Sequence, residues 1–158
     1  MKEIAVIVNN LAVTQNNFYM ITRVNEMVKD PKKSVSCFML QPSPPVIKPM
    51  FSCRNISFVS NFTGKLIATD FNSLELLLES HTGCDKYLYL WDYNPLARFD
   101  ATQKLLKDKR LKIAVRSEGH KAMLENNYND TLAKVFNEKD ANIRTHHIYV
   151  FHSNELNL

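Results

Sequence analysis

A chain of 158 residues, 45% hydrophobic and 23% charged, is long enough to bury one proper core and has the composition of ordinary globular material. Its net charge of +4 is spread as Lys32-Lys33, a run from Lys104 to Lys112 and scattered singles, which excludes a basic arm. Nucleic-acid binding is thus permitted by charge without being indicated by it.

Glu3–Val8 is a buried-type strand, with Asn9 and Asn10 at its carboxyl end. A helix starting at Thr14 or Asn17 carries Phe18, Ile21, Val24, Met27 and Val28 at helical spacing, and Asp30-Pro31 ends it. Ser34–Leu40, rich in Val, Phe and Leu, is a second strand, so the chain opens on a β-α-β unit, the sign of a parallel sheet. The loop between the first strand and its helix holds no glycine. A GxGxxG dinucleotide turn is therefore absent, because a backbone that approaches pyrophosphate needs residues without Cβ.

Gln41–Pro49 holds four of the six prolines, with PSPP at its centre, and reads as an extended surface connection. It serves either as a stiff linker or as a peptide ligand for a partner domain. Asn55–Ser60 and Lys65–Thr69 are expected as strands. Asp70 or Asn72 through Leu74, Leu77, Leu78 and Ser80 reads as a capped amphipathic helix, with Gly83 as its carboxyl-terminal cap.

Lys86–Asp92, KYLYLWD, is continuously apolar and aromatic between its charged ends. Such a run is covered on both faces, as in a central parallel strand. Asp92 stands where the strand meets its loop, and Asn94-Pro95 turns the chain. Leu96–Lys107 is expected as a helix and Leu111–Val115 as a short strand. Ser117–Asn127 follows as a helix burying Ala122, Met123 and Leu124, then Thr131–Phe136 as a short helix, and His147–Phe151 as the last strand. The alternation, with about six or seven strands and five helices, implies a single α/β domain: a three-layer, doubly wound, mostly parallel sheet of Rossmann-like type.

Cys37, Cys53 and Cys84 are an odd number with no CxxC, which suggests neither a disulfide framework nor a zinc site; reduced cytoplasmic thiols are expected. The opening MKEIAVIVNN is too short an apolar run for a signal peptide, and no apolar stretch approaches a membrane span. Asn55, Asn61 and Asn129 match the glycosylation pattern, which has no consequence without secretion. His146 and His152 share a strand face but lie about 20 Å apart, while His147 faces the other way, so no metal is expected.

Ligands of open α/β sheets bind outside the carboxyl ends of strands, which places Asn9, Asn10, Asp70, Asp92 and Asn94 on one expected edge. Asp70 and Asp92 are the candidates for a general base, against the plainer reading that each caps a helix or turn. Asn9, Asn10 and Asn94 are candidate substrate contacts. Arg116, Ser117 and His120 form a candidate anion site: a guanidinium beside a hydroxyl and the free N–H groups of a helix start. The plainer reading makes Ser117 an N-cap and Arg116 a surface ion-pair donor. Tyr87, Tyr89, Trp91 and Tyr93 alternate on one face and read as core rather than as a base-stacking platform.

Three segments in this order, GKLIATDFNSLELLLES, KYLYLWDYNPLARF and LKIAVRSEGHKAMLENNYN, resemble the amino-terminal Rossmann-like domain of GT-B glycosyltransferases, in particular the compact versions encoded by large tailed phages. The positions that carry the resemblance are Ala68-Thr69-Asp70, Trp91-Asp92 and Arg116-Ser117-Glu118, within residues 64–128. In that family the sugar nucleotide is held mainly by a second, carboxyl-terminal domain. The resemblance therefore implies a GT-B-like half, cytoplasmic, and in a host cell if phage-encoded: an acceptor-side or partner-binding module, a degenerate relative or one part of a split enzyme, acting as a binding or regulatory module whose sugar transfer depends on a partner protein or second domain. No cofactor is implied beyond a sugar nucleotide. Two other classes stay open: a small enzyme acting on a nucleotide or sugar phosphate at the strand-exit cleft, with Asp92 as base, and a host-interacting or DNA-binding protein using the basic segment 98–112.

Overall fold

A computed structural model describes residues 2–79, 83–90, 111–123 and 148–150. Within them the chain is an α/β protein with helices on a parallel sheet, and it divides into two compact units, Met1–Lys86 and Tyr87–Asn157.

The first unit is built on β1 (Lys2–Val8), whose residues Ile4–Val8 are at most 1% exposed. A strand buried without alternation has both faces covered. β2 (Lys33–Met39) pairs with it in parallel on one side and β4 (Lys65–Ala68) on the other, and β3 (Ser52–Asn55) pairs in parallel with β2 at the edge. Strand order in this unit is β3-β2-β1-β4. Every residue of β3 is exposed, as befits an edge strand.

α1 (Gln15–Val28) starts because Thr14 is extended, at φ −137° and ψ 154°, and its hydroxyl accepts the Asn17 N–H at 3.0 Å. The helix buries Met20, Ile21, Val24 and Met27 and packs on β2. Phe18, expected on the inner face, is 43% exposed, and Met20 takes the inner position. The helix ends at Val28 with Lys29 as its C-cap, and the Asp30 carboxylate accepts the Lys32 N–H at 3.0 Å and sets the turn into β2. α2 (Phe71–Glu79) packs on β4 and β1. The unit thus has the three-layer, Rossmann-like arrangement expected of the sequence.

Two local departures have clear causes. The strand expected over Asn55–Ser60 lies earlier, at β3, and residues Ile56–Asn61 form a 3-10 helix. Asn55 decides this, because its side chain accepts the Ser57 N–H at 2.9 Å and turns the chain out of the sheet. The proline-rich connection is strapped down rather than free: the Asn25 side chain donates to the Lys48 carbonyl at 3.0 Å and accepts the Met50 N–H at 2.7 Å.

In the second unit the described strands run in the order β5-β6-β7, and the unit boundary falls inside β5 (Asp85–Leu90). Tyr87, Leu88 and Tyr89 are each at most 2% exposed, so the aromatic run is core as its pattern implies. β6 (Leu111–Val115) pairs in parallel with β7 (Ile148–Val150), Ala114 opposite Tyr149. The short α3 (Glu118–Met123) packs on both. It buries His120, not the expected Ala122 and Met123, which are exposed. Trp91, Tyr93, Leu124 and the helices expected over 96–107 and 131–136 lie outside the described residues.

Candidate functional site

From β1 the chain crosses through α1 to β2 on one side, while β4 lies on the other side. This reversal is a topological switch point, and in sheets of this kind ligands bind in the crevice outside the carboxyl ends of the flanking strands, here β1 and β4. Asn9 and Asn10, which follow β1, form one lip of that position, and Thr69 and Asp70, which follow β4, form the other.

The β1–α1 loop is held by side-chain amides instead of glycine. Asn10 Oδ1 accepts the Ala12 N–H at 3.0 Å, an Asx turn, and the Asn17 side-chain amide reaches it at 3.5 Å. Asn17 also donates to the Ala12 carbonyl at 2.8 Å. Leu11, between them, is 2% exposed: its N–H donates to Ser43 Oγ at 2.9 Å and its carbonyl accepts the Val46 N–H at 2.9 Å. The proline-rich strap is thereby seated on the loop.

Across the crevice, Thr69 extends β4 by one rung, since both its N–H and its hydroxyl donate to the Ile7 carbonyl, at 3.2 and 2.9 Å. Asn16 bridges the lips by donating its side-chain amide to the Thr69 carbonyl at 3.3 Å. Its Oδ1 is shielded from solvent and has no hydrogen-bond partner among the described residues. The half-buried Asn9 side chain makes no hydrogen bond among the described residues.

Asp70 forms a reciprocal cap on α2. Its carboxylate accepts the Ser73 N–H at 2.7 Å, and Ser73 Oγ accepts the Asp70 N–H at 3.1 Å. Ser73 is fully buried. The capping reading weighed against the general-base reading thus has its hydrogen bonds in place.

In the second unit, Arg116 and Ser117 leave the carboxyl end of β6. Ser117 Oγ accepts the His120 N–H at 3.1 Å and its carbonyl accepts the Lys121 N–H at 2.9 Å, so Ser117 caps α3. Arg116 is exposed and His120 is 6% exposed. Asp92 and Asn94 lie outside the described residues, as do His146, His147 and His152. Among the described residues no three His, Cys, Asp or Glu side chains gather as a metal site, and no helix is long and apolar enough to cross a membrane.

Of the residues singled out from sequence, the first unit gathers Asn9, Asn10 and Asp70. The structure adds Asn16, Asn17, Ser43 and Thr69. The pair Asn16-Asn17 is visible in the sequence beyond the glycine-free loop, but no local signal joins it, Ser43 or Thr69 to the strand ends. Comparison with protein-family models, curated proteins and solved structures finds no match for this chain.

Proposed function

We propose that this protein is a ligand-binding or regulatory module of the GT-B-half type, holding a hydroxyl-rich, sugar-like ligand in the crevice between β1 and β4. The observation that supports this reading most is the amide-rich switch point, where Asn9 and Asn10 follow β1 and the Asn16 side chain donates to the Thr69 carbonyl at the end of β4. An asparagine side chain offers both donors and an acceptor without charge, which matches a sugar hydroxyl that gives one hydrogen bond and receives others.

The same geometry speaks against a pyrophosphate at this place. The loop Asn9–Thr14 has no glycine, so the close backbone approach that a GxGxxG turn gives to pyrophosphate is missing. Asp70 serves the cap of α2, so the crevice supports binding rather than chemistry of its own. Sugar transfer in this reading awaits a partner that brings the sugar nucleotide.

A thermal-shift screen against free sugars, sugar phosphates, sugar nucleotides and a short DNA duplex tests the proposal. A ligand at a hundred times its dissociation constant adds roughly 2.7 kcal/mol, or on the order of 5–10 °C at this size. A shift with free sugars that is lost in Asn9→Ala supports the reading. Stabilisation by phosphate compounds alone, lost in Arg116→Ala, replaces it with the small-enzyme reading. A salt-sensitive shift with DNA alone replaces it with the nucleic-acid one.

A further inference from the structure

Cys37 and Cys53 are register partners on the adjacent parallel strands β2 and β3. Partners in register project to the same sheet face, and neighbouring strands lie about 4.8 Å apart. That spacing falls within the roughly 4.4–6.8 Å between Cα atoms that a disulfide spans. The two thiols lie close enough to perturb each other's titration, and Cys53 Sγ donates to the Phe51 carbonyl at 3.9 Å. Their surroundings are unequal: Cys37 is fully buried, while Cys53 is exposed on the edge strand.

We propose that Cys37 and Cys53 form a reversible thiol–disulfide site that is closed by hydrogen peroxide or a small organic hydroperoxide. Cys53 is the attacking sulfur, because it alone of the two is exposed. The neighbouring Cys37 thiol pushes it down to about 7, so a large share is thiolate at neutral pH. The neighbouring Cys53 sulfur and burial push Cys37 up, so it is protonated in the reduced pair and gives up that proton in the resolving step.

The steps balance as follows. The Cys53 thiolate attacks one peroxide oxygen, the O–O bond breaks, and the departing oxygen leaves as hydroxide or alkoxide and takes up a proton. Cys53 is now a sulfenic acid, oxidised by two electrons. The Cys37 sulfur attacks the Cys53 sulfur, the S–S bond forms and the S–O bond breaks, and the hydroxyl leaves as water with the Cys37 proton. In sum, two thiols and one hydroperoxide give a disulfide, water and an alcohol, or two waters from hydrogen peroxide. A dithiol reductant reverses the bond by exchange. The chain between the two sulfurs includes the proline-rich strap that is seated on Leu11, so the bond closes that strap into a covalent loop.

The test is peroxide titration of the reduced protein, followed by thiol counting and peptide mapping. The expected result is a fall from three titratable thiols to one, a linked Cys37–Cys53 peptide with Cys84 still free, and full return of the thiols with dithiothreitol. In Cys53→Ser, altered at an exposed position that leaves the core intact, peroxide should leave Cys37 unoxidised. In Cys37→Ser, a dimedone-reactive sulfenic acid should accumulate at Cys53. Bonding to Cys84, peroxide-insensitive thiols, or Cys53 passing to the sulfinic acid with Cys37 free in the wild type would each overturn the proposal.

Discussion

The Asn16 side-chain amide donates to the Thr69 carbonyl at 3.3 Å, joining the first turn of α1 to the end of β4. Its oxygen, on the same group, is buried without a donor. Removing the amide with Asn16→Ala loses one modest hydrogen bond and also relieves that orphaned oxygen, so the expected loss is at most about 1 kcal/mol. Asn16→Asp instead sets a carboxylate against the carbonyl, for a loss of roughly 1–3 kcal/mol at neutral pH. Protonation restores a donor. The variant carboxyl is therefore raised in the folded state, and its deficit should shrink as pH falls toward about 4. Urea midpoints at two pH values check both statements.

Gly64 lies against the start of β1. A Cβ there would sit within 2.3 Å of the Glu3 carbonyl oxygen and 2.7 Å of its carbon, so backbone would have to move. Gly64→Ala is expected to destabilise by on the order of 1–3 kcal/mol. Gly83→Ala is the control, since its Cβ would meet nothing within 4 Å. Denaturant melts of the two variants should separate clearly.

Asp70 and Ser73 cap α2 reciprocally, so Asp70→Ala and Ser73→Ala should each lose about 1 kcal/mol. Asp70→Asn keeps an acceptor and should lose little. Because the two residues share one box, the double alanine variant should lose less than the sum of the singles. Equal losses in Asp70→Asn and Asp70→Ala would contradict the capping role.

The thiol pair carries a pH signature. Cys53 is held near 7 against an ordinary 9.0, while Cys37 is raised. Between those two values the folded pair holds one proton and the unfolded chain two, so stability should rise with pH. Above the ordinary value the unfolded pair loses both protons while the folded pair keeps one, so stability should fall again. Alkylation of Cys53 should show a midpoint near 7, and Cys37→Ala, which removes the neighbouring thiol, should move it upward. An unchanged midpoint in that variant would contradict that thiol as its cause.

Much of the fold was legible because burial is written in composition. The unbroken run Ile4–Val8 and the aromatic Tyr87–Tyr89 could be placed as strands covered on both faces, and their burial agrees. Asp30-Pro31 ended α1 where expected. What escaped depended on competition between local choices. At Asn55 a side-chain cap defeats β-propensity, and in α1 the inner face is shifted so that Met20 replaces Phe18.

At the site, Asn9, Asn10 and Asp70 were legible from strand ends alone. Asn16 and Thr69 were not, because their contact joins residues far apart in the chain and appears only once β4 is laid beside β1. The same holds for Cys37 and Cys53. Spacing along the chain does not reveal that parallel register sets them opposite each other.

The most direct test of the central claim is an amide correlation NMR titration of the protein with free monosaccharides. The account predicts that the side-chain amides of Asn9, Asn10 and Asn16 and the Thr69 N–H shift together in one saturable process. Shifts confined to the segment Arg116–Lys121, or none from any sugar at millimolar concentration, would contradict a hydroxyl-binding crevice between β1 and β4.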